Sequence, residues 1–197
     1  YFAAVAPLSP EGLALCGEFY CWFYRFYMSF PLIGFSLEGI YELSRRFYLE
    51  TGTTEEIAKR IAKLLEERGD TVQALPISTI GELSGYDRII LGSPVNGMKA
   101  LPEFDAFCKE KALASRASKD LFMVSYIFEK GRPIWKKALQ KEKTRLSELL
   151  GARSAEIFGG RIDKEFPGFA RFIFGTPKNL PLDIRNWEAV EAWAKDL

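Results

Sequence analysis

Apolar positions first recur at a clear helical spacing past residue 56, where Ile57, Ile61, Leu64 and Leu65 share one face and Lys59, Arg60, Lys63, Glu66 and Glu67 lie off it. The pattern predicts an amphipathic helix over 54–68, supported by Glu55/Lys59 and Glu56/Arg60 at four-residue spacing and stopped by Gly69-Asp70. Beyond it, short β-type runs alternate with helical ones. Residues 71–75, ended by Pro76, then 88–91, the continuous apolar run 121–124, and 155–158 read as strands. Between them the spacing predicts a helix over 101–111, with Leu101, Phe104, Phe107 and Cys108 on one side. A long polar helix from Pro133 to Leu150-Gly151 follows, with Trp135, Leu139 and Leu146 facing inward. Trp187, Val190 and Trp193 mark a terminal helix. Strands separated by helices need crossover connections, so the expected class is α/β with a parallel sheet.

The first 46 residues differ in kind. Half of all Phe, Trp and Tyr residues fall within the first 48 positions, in no helical or strand period. Residues 19–35 are apolar, but Arg25 interrupts them and Pro31 and Gly34 break them, which argues against a spanning helix and for an interfacial one. The start at Tyr1 lacks the basic stretch and cleavage site of a signal peptide. The division is therefore 1–46, an irregular aromatic-rich segment that is either membrane-interfacial or not native, and 47–197, one α/β domain.

Composition narrows the chemistry. An apolar fraction of 48% supports a real core, and a net charge of +1 with no basic aromatic cluster excludes nucleic acid as an expected partner. The absence of His removes His-based triads and His zinc sites, and three Cys are too few for a disulfide framework or a four-Cys metal site. No catalytic acid, base, nucleophile or metal ligand is nominated, and a reducing, cytoplasmic setting is the default.

The turn Thr51-Gly52-Thr53-Thr54 runs straight into the first helix. Helix-start N–H groups, hydroxyl donors and the positive end of the helix dipole together suit a phosphate monoester. The same residues also fit an ordinary capping box, with Thr53 as N-cap and Glu56 reaching back to it. In an open parallel sheet, ligands bind beyond the carboxyl ends of the strands. That makes two more loops informative: Ser93-Pro94-Val95-Asn96-Gly97 after the third strand, and Ser125-Tyr126 after the fourth. The first lacks the Lys and Ser/Thr of a nucleotide P-loop, and no G-x-G-x-x-G is present.

Thr51 to Ala58 followed by Ile61 resembles the FMN-phosphate loop and first helix of the flavodoxin family. Residues 86–95 are similar to its third strand and flavin-contacting loop. The tails 158–163 and 183–190 resemble the branch containing menaquinone-dependent protoporphyrinogen oxidase. The resemblance implies a flavodoxin-like three-layer sandwich with a five-stranded parallel sheet in the order 2-1-3-4-5 and FMN at the switch point. It also implies roles: Thr51, Gly52, Thr53 and Thr54 on the phosphate, Ser93, Pro94, Val95, Asn96 and Gly97 flanking the flavin ring, and Ser125 and Tyr126 on its other side. The chain departs from the family at Leu49, where a hydroxyl is usual, and at Ser44-Arg45-Arg46, where the first strand is usually apolar. Two unpaired arginines cannot lie in an interior strand, so that strand is expected to shorten to 47–50.

The function implied is an FMN-dependent oxidoreductase, in its narrower form a protoporphyrinogen oxidase with a quinone acceptor. The alternatives are a soluble flavodoxin-type electron carrier docking on a redox partner protein, and a flavin-free interaction module of the same fold. Residues 166–174 leave few polar positions for water, and with the aromatic N-terminus they suggest peripheral contact at the inner face of a membrane.

Overall fold

A computed structural model describes residues 52–84, 86–163, 165 and 167–197. Helix α1 (Thr53–Glu67) is followed by a 3-10 turn at Ile77–Thr79, then strands β1 (Arg88–Asn96) and β2 (Lys99–Ala100). Helix α2 (Pro102–Phe107) continues into a π turn over Cys108–Ala112, and β3 (Ser118–Val124), α3 (Pro133–Leu150), β4 (Ser154–Phe158), α4 (Gly168–Phe174) and α5 (Trp187–Asp196) complete the order.

The fold is α/β with a mixed, mostly parallel sheet in the order β2-β1-β3-β4. The parallel part β1-β3-β4 matches the third, fourth and fifth strands of the expected 2-1-3-4-5 order in both adjacency and direction. Two features depart from the expected all-parallel sheet. The two-residue β2 runs antiparallel to β1, and residues 71–75 form no ladder among the described residues. In the expected order the second strand pairs with the first, and the predicted strand 47–50, like the whole segment 1–46, lies outside the described residues.

Period-two alternation sorts the strand side chains to two faces. Ile89, Leu91, Leu121, Met123 and Ile157 pack with Phe104, Phe107, Leu139 and Leu146 from α2 and α3. Phe122, Val124 and Phe158, with Ile90 against them, pack with Ile57, Ile61 and Leu65 of α1 and Val190 and Trp193 of α5. On this second face Phe122, Phe158 and Trp193 form a ring cluster with centroids 5.6–6.2 Å apart. Of the stripes predicted for α1 and α5, Ile57, Ile61, Leu65, Val190 and Trp193 are buried, and Leu64 and Trp187 are half-buried at their margins. Arg60 of α1 and Glu191 of α5 add an ion pair, with Arg60 Nε donating at 3.0 Å.

Strand β3 begins earlier than its apolar run because its first polar residues have partners. Asp120, fully buried, accepts from Arg88 Nε at 2.6 Å, and Lys119 Nζ donates to the Ser115 and Ala117 carbonyls. Helix α3 starts with Pro133 in its first turn and ends at Gly151 in the left-handed conformation (φ +60°), as predicted. No helix among the described residues is long and apolar enough to cross a membrane.

Candidate functional site at the carboxyl edge of the sheet

Pairing register puts Pro94 opposite Val124 and Val124 opposite Phe158, so the parallel strands end level with one another. The carboxyl edge beyond them carries the segments singled out in the sequence, and α1 begins beside it.

At that start Gly52 is the N-cap, with φ +59° and ψ 8°. This corrects the capping-box expectation: Thr53 is the first helical residue, and Glu56 turns away from the helix start. The carboxylate of Glu56 accepts from Arg161 Nη2 at 2.9 Å and from Arg185 Nη1, while its own N–H donates to the Gly52 carbonyl at 3.0 Å. A left-handed residue before the helix leaves the first-turn N–H groups facing outward, and a Cβ built on Gly52 would meet nothing within 4 Å among the described residues. Thr53 and Thr54 are both buried. The Thr53 hydroxyl lies 3.5 Å from the Arg161 carbonyl oxygen, which fixes the helix start against the chain leaving β4. Thr51 lies outside the described residues.

The chain leaving β4 is held in turn by the segment before α5. Ile162 N–H donates to the Leu182 carbonyl at 2.9 Å, and Ile184 N–H to that of Gly160 at 3.1 Å. Gly159 permits this approach, since a Cβ there would stand 2.2 Å from the Ile184 carbonyl oxygen. Arg185 is gripped by both carboxylate oxygens of Asp183 and lies 4.7 Å over the Trp187 ring. The hydrogen bonds from Arg185 hold the Asp183 carboxyl below its ordinary value against the opposing effect of burial, and the Arg185 guanidinium is correspondingly raised.

The predicted ring-flanking loop 93–97 takes a different form from a simple turn. Ser93, Pro94, Val95 and Asn96 continue β1, and Val95 and Asn96 pair with Ala100 and Lys99 across a two-residue turn. Gly97 (φ +55°) and Met98 (φ +65°) make that turn, the left-handed pair a tight hairpin requires. Ser93 donates its hydroxyl to the Pro94 carbonyl at 2.9 Å, and Gly97 is exposed at the tip. Sequence reasoning missed Glu142 of α3. Its buried carboxylate accepts the outward-facing Ala100 N–H at 3.2 Å and two bonds from Arg145, which also reaches Asp105 at 2.7 Å.

Ser125 and Tyr126 follow β3 and are buried. Ser125 N–H donates to the Phe158 carbonyl at 3.0 Å, and Tyr126, 2% exposed, donates its hydroxyl to the Pro181 carbonyl at 2.7 Å. Burial pushes the Tyr126 phenol up, and Glu165 adds to the shift against Arg171. Cys108 sits in the core, its thiol pushed up to about 12 by burial, and is no nucleophile. Among the described residues no cluster of acidic, His and Cys side chains could hold a metal ion.

The donor set at Gly52-Thr53-Thr54 fits a phosphate monoester. It combines first-turn N–H groups with the Thr54 hydroxyl, while the Thr53 hydroxyl faces the Arg161 carbonyl and the Glu56 carboxylate is compensated by two arginines. A family model described as a flavodoxin domain matches residues 48–180, and the family typically binds FMN. No curated protein and no solved structure matches. With more than half of the chain inside that match and the strand order β1-β3-β4 in agreement with it, the chain belongs to the flavodoxin family.

Proposed function

We propose that the chain is a flavodoxin-type electron-transfer protein that holds FMN at the carboxyl edge of its sheet. The observation that carries this reading is the left-handed Gly52 opening α1 with Thr53 and Thr54 buried behind it, in a chain of the flavodoxin family. In this reading the turn binds the phosphate, Ser93 to Gly97 and Ser125-Tyr126 flank the ring, and bound FMN supplies the redox chemistry. The chain's own part is to orient the cofactor. Hairpin rigidity, set by Glu142 on the Ala100 N–H, serves that end.

Titration of the protein with FMN and with riboflavin tests the reading. FMN is expected to bind more tightly, and Thr54→Ala to lose about tenfold or more for FMN while sparing riboflavin, since a hydrogen bond to a charged acceptor is worth about 1.5–3 kcal/mol. Binding of neither flavin would overturn it.

A narrower reading, an oxidase resembling protoporphyrinogen oxidase with a quinone acceptor and peripheral membrane contact, is supported by the tail pattern and by the exposed aromatics of α4. Phe172 is 75% exposed and Phe169 43%. Quinone-dependent oxidation of a porphyrinogen and flotation with liposomes decide for or against it. A carrier shows neither and passes electrons to a partner protein.

A further inference from the structure

Two carboxylates sit in the first turn of α1, Glu55 and Glu56, where they favour the helix but oppose an anion bound at its start. Each is met by a cation. Lys59 reaches Glu55 at 2.7 Å on an exposed face, so water and salt screen that pair and its field at the helix start is small. Glu56 is placed differently. Its N–H is bonded to the Gly52 carbonyl, one turn from the left-handed residue, and its carboxylate lies among charges brought from the far end of the chain.

Those charges are two carboxylates, Glu56 and Asp183, against two guanidiniums, Arg161 and Arg185. Asp183 takes Arg185 Nε at 2.9 Å and Nη2 at 2.5 Å, which leaves only Nη1 for Glu56. Arg185 is thus committed chiefly to Asp183, and Arg161 Nη2, at 2.9 Å, is the cation that belongs to Glu56. Arg161 also meets the turn through its backbone, since its carbonyl oxygen lies 3.5 Å from the Thr53 hydroxyl. Thr53 and Glu56 are three residues apart on the helix and share the face that Arg161 covers. Without the Arg161 charge, that face would carry a net negative charge beside the place assigned to the phosphate.

Resting on the FMN reading above, we infer that Arg161 sets the preference for a phosphorylated flavin over a neutral one, by cancelling the Glu56 carboxylate so that the helix start accepts an anion. It acts through Glu56 and is a positioning residue.

Titration of the full chain and its variants with FMN and with riboflavin tests this. Arg161→Gln is expected to weaken FMN about tenfold, the size of a like-charge repulsion acting over about one helical turn at a partly shielded site, and to leave riboflavin unchanged. The loss should shrink as salt is added, and Arg161→Lys should keep most of the affinity. The double variant Glu56→Gln/Arg161→Gln removes both charges and should recover the wild-type preference for FMN. A role confined to tying residue 161 to α1 would leave the double variant as weak as the single one. If Arg161→Gln fails to fold, Glu56→Gln alone carries the test: it should tighten FMN and not riboflavin. Equal losses for both flavins, no recovery in the double variant, or unchanged FMN affinity in Glu56→Gln would each overturn the inference. A wild type that binds neither flavin overturns the FMN reading and this one with it, whereas a wild type that prefers FMN, with variants that match it, overturns this one alone.

Discussion

Gly92 and Phe122 face each other across the β1-β3 ladder, and the Phe122 ring fills the space where a Gly92 side chain would be: a Cβ there would stand 2.2 Å from ring atom Cζ. The ring cannot swing aside, since Phe158 and Trp193 hold it. Gly92→Ala is therefore expected to destabilise the protein by about 1–3 kcal/mol, the usual cost of overpacking a core. Urea unfolding measures it, and a wild-type midpoint would show that the ring yields.

Glu142 should matter chiefly through its bond to the Ala100 backbone. Glu142→Ala leaves the Ala100 N–H without its acceptor and Arg145 with Asp105 alone, at an expected cost of about 1–3 kcal/mol. Glu142→Gln keeps an oxygen for Ala100 and should lose less. Equal losses in thermal melts of the two variants would assign the effect to the Arg145 charge pair instead.

At Gly52 the backbone conformation restricts the residue, and among the described residues nothing crowds it. Gly52→Val, β-branched and poorly tolerated at φ +59°, is expected to weaken FMN binding by a larger factor than it weakens folding, because it tilts the first-turn N–H groups off the phosphate. Parallel flavin titration and denaturant unfolding separate the two, and equal losses would count against the assignment.

Asp183 gives a pH signature. Its folded pKa is depressed, chiefly by hydrogen bonds from Arg185, so its contribution to stability is present above the unfolded carboxyl value of about 3.9 and is lost as pH falls through the lower folded value. The stability difference between the wild type and Asp183→Asn should stay constant at neutral pH and shrink below about pH 4. A gap independent of pH down to the acid transition would show that the ion pair contributes nothing.

Much of this was legible in the sequence where the signal is local. The α1 stripe Ile57, Ile61 and Leu65 lies within one short segment, so spacing and residue type sufficed. The apolar run 121–124 revealed β3 but not its start, because Lys119 and Asp120 read as polar until Arg88 and two carbonyls are seen beside them. The hairpin reads as a loop in the sequence because Gly92, Ser93, Pro94 and Asn96 are turn-forming types. Ladder pairing with 122–124 overrode that preference, and Gly92 was chosen for the Phe122 ring. The ion cluster at the helix start was beyond sequence reasoning altogether, since Arg161 and Arg185 lie 105 and 129 residues from Glu56.

Those separations also bear on how the protein is made. The start of α1 is emitted early from the ribosome, yet the groups that set it, Arg161, Arg185 and the α5 face carrying Val190 and Trp193, emerge last. Contacts so distant along the chain close late and slowly. During synthesis the apolar face of α1 meets β1 and β3 first and waits for its α5 partners while more than a hundred residues are added, so the helix start is fixed only after translation has passed Arg185.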